Sequence, residues 1–391
     1  MRTRRGLGIL VTAAALTGLV GSTAAPASAA TTPSAKAADA TLDTALNQFV
    51  ASSGGAPGIA VVVGRGATPQ LHTAGTAILA QASSPTPTDQ MRLASVAKAF
   101  SGAVALSLVK DQVLSLTDTV GRWLPSLPQA WQQVTLSQLL NHTGGVPDFS
   151  KATSFQQALP SVLLTPPPPS ALLTYVADQP LDFKPGSRYQ YSNSDNIIIG
   201  LMAQAATGHS YEALVQERVS QPFGLVATSL PRDAAIPSPF IHGYQLQPGQ
   251  PPEDVSELVA AGWSWASGGI ISTPADANRF IRAYVRGAET TRAARSAQFR
   301  FIDRGTSEPP GPGTNAAGLA IFRYTTPCGT VYGHTGNTPG YTQFIAATRD
   351  GSRSVTVSAN TQLTPKGAAA PFAALRKIDG LAVCAALAGA R

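Results

Sequence analysis

Three small groups of residues in this 391-residue chain carry side chains able to do chemistry together. Ser95 and Lys98 stand three apart in Arg92-Leu-Ala-Ser-Val-Ala-Lys-Ala-Phe100, at the head of a run of small and apolar residues reaching Val109. On a helix, that spacing puts the amine beside the hydroxyl on one face. A serine hydroxyl becomes a useful nucleophile only when a neighbour can take its proton. The second group is Tyr191-Ser192-Asn193. A tyrosine beside a lysine can have its phenol pKa lowered and relay the serine proton. The asparagine amide can donate to a substrate carbonyl and accept from a substrate N–H. The third is His334-Thr335-Gly336, in a strand-like stretch whose edge can bind an extended substrate. Its backbone N–H groups can complete an oxyanion hole with that of Ser95.

Alone, each group is weak. A Ser near a helix start with a snorkelling Lys, an aromatic-polar turn and a hydrogen-bonded core His all recur without function. His142-Thr143-Gly144 repeats the third triplet at a helix end with no strand behind it, so a structural, loop-fixing role is expected there. His72, His209 and His242 show no companion groups. Five isolated histidines and two cysteines offer no metal-ligand spacing, so no metal is expected.

The elements that must position these groups are α and β in alternation. Thr41 can cap a helix over Leu42 to Val50, and Gly58 to Val63 reads as a buried strand with a partner around Gln70 to Gly75. Helical patterns follow the Ser95 segment at Leu116 to Leu124, Val134 to Leu140, Asn196 to Ala206, Tyr211 to Val219 and Ala275 to Arg286, with Pro166 to Pro169 an extended spacer. Four strands cluster at Leu319 to Tyr324, Thr330 to His334, Thr342 to Thr348 and Ser354 to Ala359, and Arg349-Asp-Gly351 reads as the hairpin turn of the last two. A final helix runs through about Ala369 to Ala386. The expected class is α+β, with both ends of the chain sharing one antiparallel sheet flanked by helices and the middle forming a mainly helical lobe.

Residues 1–29 read as a signal peptide: Arg2, Arg4 and Arg5, an apolar stretch from Leu7 to Val20, then Ala27-Ser-Ala29. The expected location is therefore secreted or extracytoplasmic, with no later membrane span. Residues 30–40 read as a flexible lead-in and 41–391 as one domain. The formal net charge of +7 includes three arginines of the signal and falls to about +4 without it. The remaining basic residues are scattered, which excludes a nucleic-acid surface. In an exported chain the pair Cys328 and Cys384 reads as a disulfide, two buried free thiols being the alternative.

In this order and spacing, Ser95-x-x-Lys98, Tyr191-x-Asn193 and His334-Thr-Gly336 resemble the penicillin-recognising serine hydrolases, in the branch of class C β-lactamases and secreted D-alanyl-D-alanine carboxypeptidases. The resemblance runs over about residues 41 to 388. Leu139-Leu-Asn-His-Thr-Gly-Gly-Val-Pro-Asp-Phe149, Phe183-Lys-Pro-Gly-Ser187 and Ser267-Gly-Gly-Ile-Ile-Ser-Thr-Pro-Ala-Asp276 look like further family segments. Cys328-Gly-Thr-Val-Tyr-Gly-His-Thr-Gly336, Gly340-Tyr341 and Arg349 to Asn360 are most like the soluble, exported DD-carboxypeptidases, which link a Cys before His-Thr-Gly to one in the last helix.

The resemblance implies the β-lactamase/DD-peptidase fold and an acyl-enzyme on Ser95, with Lys98 and Tyr191 sharing the proton work. It implies that Asn193 orients the acyl side chain, that the N–H groups of Ser95 and Asn337 form the oxyanion hole, and that Thr335, with His334 behind it, helps hold a substrate carboxylate. Gly336 belongs to the same edge. Trp265, or Trp263 beside it, is expected to line the pocket, core packing being the other reading. Two departures fall at the carboxylate end. Asn337 stands where the carboxypeptidases carry Thr, and Phe322 occupies the register of their Arg, with Arg323 one residue on. The implied activity is a D-alanyl-D-alanine carboxypeptidase-like hydrolase acting on small peptides or β-lactams and on peptidoglycan-type peptides, as a monomer without a cofactor. A class C-like β-lactamase, an esterase or a D-amino-acid amidase are alternatives on the same fold. A non-catalytic ligand-binding sensor is the alternative of another kind, disfavoured by an intact proton relay.

Overall fold

The computed structural model of the chain describes residues 34–389. The expected signal peptide and the first residues of the lead-in lie outside them. Its centre is an eight-stranded antiparallel sheet drawn from both ends of the chain. In chain order the strands are β1 (Gly58–Gly64), β2 (Gln70–Gly75), β3 (Ile302–Asp303), β4 (Thr314–Ala317), β5 (Phe322–Thr326), β6 (Gly329–Thr338), β7 (Tyr341–Ala347) and β8 (Ser354–Ala359). They lie side by side as β2-β1-β8-β7-β6-β5-β4-β3. β1, β7 and β8 are buried along their whole length. A strand covered on both faces reads as a continuous apolar run, which is why Ile-Ala-Val-Val-Val stands out in the sequence.

One face of the sheet is covered by α1 (Ala35–Ala51) and by the last long helix, Ala369–Leu387. Leu42, Leu46, Phe49, Phe372, Leu375 and Ile378 pack there against Ile59, Val61, Phe344 and Val357. The other face carries α2 (Ala97–Lys110), α3 (Asn193–Thr207), α4 (Pro274–Arg286) and the helical lobe. Nearly every residue of α2 is buried, so its sequence is apolar or small on all sides. Phe100 of α2 stacks on Phe280 of α4 with ring centroids 3.7 Å apart. α4 has clear stops in sequence: Thr273 accepts from the Asp276 N–H, Pro274 opens the helix, and Gly287 closes it at φ +71°. The final helix, hereafter α5 (Ala369–Leu387), is joined to the start of β6 by the disulfide Cys328–Cys384.

The α+β class is as expected, while several boundaries move. α1 begins at Ala35, capped by Ser34, so residues 35–40 are helix and not a flexible lead-in. Their alanines, read as low complexity, are also the strongest helix formers, and Asp39 is held by Arg65 at 2.6 Å. Only Val120–Trp123 of the expected Leu116 to Leu124 helix is helical, and Pro169 opens a short helix rather than closing a spacer. β5 starts at Phe322, later than expected, because Ala320 turns at φ +51° and gives its N–H to Leu140 O. β3 and β4 were not anticipated. Neither has a β-branched run to announce it.

Replacing both Cys328 and Cys384 by Ser opens a closure 56 residues apart. The expected loss is about 4 kcal/mol in the chain-entropy account, read as a lower urea midpoint with a slope no smaller than the parent's, since the unfolded chain is then less compact.

Candidate active site

Ser95 lies in a short 3-10 turn, Ala94–Val96, that runs directly into α2. Ala94 holds φ +48°. This left-handed conformation costs a non-glycine residue roughly 1–2 kcal/mol and swings the chain sharply from Leu93 into the helix. β6 passes close to this turn. A Cβ on Gly336 would sit 2.3 Å from Leu93 O, so only glycine allows the strand its approach.

Lys98 is fully buried and meets three groups: Ser95 Oγ at 3.1 Å, Asn193 Oδ1 at 2.7 Å and Ser267 O at 2.7 Å. Two of these are obligate acceptors, and the third is a hydroxyl that can also donate. A neutral amine fits this trio, with two N–H groups for the carbonyls and its lone pair for the Ser95 proton. Burial, only partly offset by Asp148, Glu308 and Asp195, lowers the Lys98 pKa to about 7.

Tyr191 sits beside the amine, with Lys98 Nζ 4.9 Å from its ring centroid. The sequence suggests a lowered phenol pKa, but burial outweighs every other influence and pushes it well above its usual value. Its hydroxyl approaches Ser95, the next influence on that pKa, without forming a hydrogen bond of ordinary geometry to any described atom. Asn193 opens α3. Its Oδ1 takes the Lys98 amine and its Nδ2 donates to Asp148 Oδ2 at 3.1 Å and Ser150 Oγ at 2.9 Å.

His334 is brought to the site and Thr335 is not. Register pairs His334 with Ile345 and Gly336 with Gln343, on the lobe face of the sheet. Thr335 pairs with Phe344, on the α1 and α5 face, and its hydroxyl donates to Pro309 O at 2.6 Å. Asn337 also turns its amide away, donating to Thr342 Oγ1 and Leu363 O, so only its backbone borders the cleft. His334 Nδ1 lies 2.6 Å from the Thr335 carbonyl, and burial holds its pKa at about 3. It is a neutral ring at working pH.

Two further expected residues miss the cleft. Arg323 lies on the lobe face with its register partner Tyr332, but it pairs with Asp303 at 2.9 Å and lies over Phe301, toward the β3 edge of the sheet and away from Ser95. Trp265 is buried core, its indole N–H on Glu212 and its ring against Tyr211. Trp263, two residues earlier, lines the cleft instead, fixed by an N–H bond to Val162 O at 3.0 Å. The cleft itself has a volume of about 320 Å³ between Ser95, the β6 edge and the lobe, with Phe149, Phe155, Leu159 and Val259 along its apolar wall. β5 pairs with β6 only as far as Gly333. Among the described residues, no strand continues that pairing along 334–338, which leaves an open edge beside Ser95.

His142, expected only to fix its loop, fixes the segment that carries Tyr191. Its ring lies 4.7 Å from that of Tyr191, its Nδ1 is 2.7 Å from Asp195 Oδ2, and its carbonyl takes the Gln190 N–H at 2.9 Å. Burial lowers the His142 pKa well below its usual value and raises that of Asp195. His142 thus grips the chain on which Tyr191 stands. The left-handed φ of +58° at His142 was a signal only a structure could give. His142→Ala is expected to lower kcat by up to about 10²-fold, the scale of a 1 Å misplacement, with a smaller change in KM. A loss of kcat that disappears once rates are corrected for the folded, titratable fraction would make it a folding residue only. The remaining histidines do have companions: His72 with Asp43, His209 with Glu217 and His242 with Asp254, all outside the cleft.

A serine activated by a buried lysine, in a cleft between an antiparallel sheet and a helical lobe, defines a serine hydrolase of the acyl-transfer class. The Beta-lactamase family profile matches residues 39–379, and the chain belongs to that family. Penicillin-binding protein 4* of Bacillus subtilis (strain 168) is 24% identical over 65% of this chain and 56% of its own length. The chain spans little more than half the length of the curated relatives it matches. A D-stereospecific amidohydrolase from Streptomyces sp. is 27% identical, with a TM-score of 0.74 over 83% of this chain and 94% of that one. The D-amino acid amidase from Ochrobactrum anthropi SV3, complexed with D-phenylalanine, shares the fold at 20% identity and a TM-score of 0.76, over 88% of this chain and 98% of that one. Among the described residues, no helix is long and apolar enough to cross a membrane.

Proposed function

We propose that the chain is a serine acyl-transfer hydrolase that opens amide bonds in D-configured amino-acid or peptide substrates. The observation that carries the acyl-transfer chemistry is Ser95 Oγ 3.1 Å from the buried Lys98 amine, whose pKa of about 7 leaves a large free-base fraction at neutral pH. The likeness to a D-stereospecific amidohydrolase supports D-configured substrates. In this reading Lys98 takes the Ser95 proton as Oγ bonds to the substrate carbonyl carbon. The N–H groups of Ser95 and Asn337 hold the oxyanion. The C–N bond then breaks, and the proton passes to the leaving amine by way of the protonated Tyr191. Water attacks the resulting ester and frees Ser95. The open edge of β6 orients the substrate, with the buried His334 ring behind it beside Tyr191.

The D-alanyl-D-alanine carboxypeptidase reading is supported by the motifs of the C-terminal half and by the likeness to a penicillin-binding protein. With it go export through the N-terminal segment, action on peptidoglycan-type peptides and a monomeric state. An amidase on amino-acid amides is the second reading. It is favoured by the turn of Arg323 and Thr335 away from the cleft, which removes the groups expected to hold a terminal carboxylate. Separate incubation with a D-Ala-D-Ala peptide, D-phenylalanine amide, a cephalosporin and a short-chain ester distinguishes these. Turnover of none, with no adduct on Ser95, would return the chain to the sensor reading.

A further inference from the structure

Charge around the cleft is unevenly shared. Among the described residues that line it, Glu308 is the only charged one. Its carboxylate is about half exposed, at 52%, and holds Lys151 Nζ at 3.0 Å. Lys151 is drawn on its other side to Asp148 Oδ2 at 3.7 Å, so two carboxylates share one ammonium at the rim. The cation expected from sequence, Arg323, is committed to Asp303. The wall around Glu308 is otherwise apolar and neutral polar.

The backbone that presents Glu308 is fixed. Tyr189 donates its hydroxyl to Thr306 O at 2.5 Å, Thr335 donates to Pro309 O at 2.6 Å, and Ser307 donates to the same carbonyl at 3.1 Å. A charge held by a rigid loop can discriminate, because the loop need not be ordered when the ligand arrives. Lys151 is itself half exposed, and an exposed ion pair yields readily to a competing ammonium.

We infer that Glu308 is a specificity residue that receives the ammonium of a substrate's free α-amino group. The cleft then takes amino-acid amides or short peptide amides with an uncapped N-terminus, their apolar side chain lying toward Phe149, Phe155 and Trp263. This rests on the amide-hydrolase reading above. It also gives a reason for the missing carboxylate-binding group: the recognised charge has the opposite sign.

The test compares kcat/KM for D-phenylalanine amide and its N-acetyl derivative, and for the same pair as methyl esters. The wild type is expected to prefer the free amine by about 10- to 100-fold, the range of a charge-assisted hydrogen bond. In Glu308→Gln the preference falls toward unity, mainly through KM, and Glu308→Asp restores part of it. Thermal melting checks that each variant is folded. A wild type that favours the N-acetyl substrates, or a preference unchanged in Glu308→Gln, overturns the assignment. Esters turned over with the free-amine preference, and amides not at all, would sink the amide reading while keeping Glu308 in its role.

Discussion

Ser95→Ala loses acylation altogether and lowers turnover by roughly 10⁴- to 10⁶-fold, the range seen when a hydrolase loses its nucleophile. No other hydroxyl can replace it. Within reach of the Lys98 amine lie Ser95 Oγ, the Asn193 amide oxygen and the Ser267 carbonyl, and Ser95 alone among them can attack. The Ser267 hydroxyl donates to Ser264 O at 2.6 Å, and Ser150 Oγ is taken by Asn193 and Asp148. Intact mass after incubation with a reactive ester or a fluorescent penicillin gives the measurement. An adduct that persists in Ser95→Ala would remove the nucleophile from its place.

Lys98→Met is expected to lower kcat/KM by about 10²- to 10⁴-fold, the usual contribution of a positioned base, and to abolish the acid limb of the pH profile. In the wild type that limb rises with pH through an apparent value near 7, where the amine loses its proton. The same variant is expected to be more stable in acid. A lysine whose pKa falls from 10.5 to about 7 on folding binds its proton less well in the native state. Between those values the unfolded chain carries the extra proton, so stability rises with pH across that window and the full penalty is present below about pH 7. That penalty is on the order of 5 kcal/mol. Methionine removes it but leaves the Asn193 and Ser267 oxygens without their donor, so the net gain is smaller. Urea unfolding of both proteins at pH 6 and pH 10 provides the check: the advantage of Lys98→Met shrinks as pH rises. An advantage independent of pH would mean that the amine keeps an ordinary affinity for its proton.

What the sequence revealed of this site is what depends on local geometry. Ser95 and Lys98 meet because they share one turn, and Asn193 and Tyr191 are near because they flank one helix start. What it hid depends on register and burial. His334 and Thr335 are neighbours in a motif, yet strand alternation sends one to the lobe face and the other to the α1 and α5 face. Arg323 shares the face of His334 but is held toward the β3 edge by Asp303, and Trp265 is lost to the cleft with a left-handed backbone at φ +37°. The Tyr191 pKa followed burial and not its charged neighbour. Glu308 sits in a proline-rich loop with no periodicity to mark it, and only the folding of that loop over the cleft gives it meaning.

The sheet that frames the site is closed by the two ends of the chain. Ile59 pairs with Ala359, and the Gly58 N–H reaches the Asn360 side chain across 302 positions. As the protein is made from its N-terminus, β1 and β2 emerge almost three hundred residues before β8 can join them. Ser95 likewise waits for β6, whose neighbours β7 and β8 come later still. Contacts this distant in sequence form slowly, so the nascent chain holds a serine and a lysine without an active site. The site therefore takes shape only after β8 has been made and has joined β1.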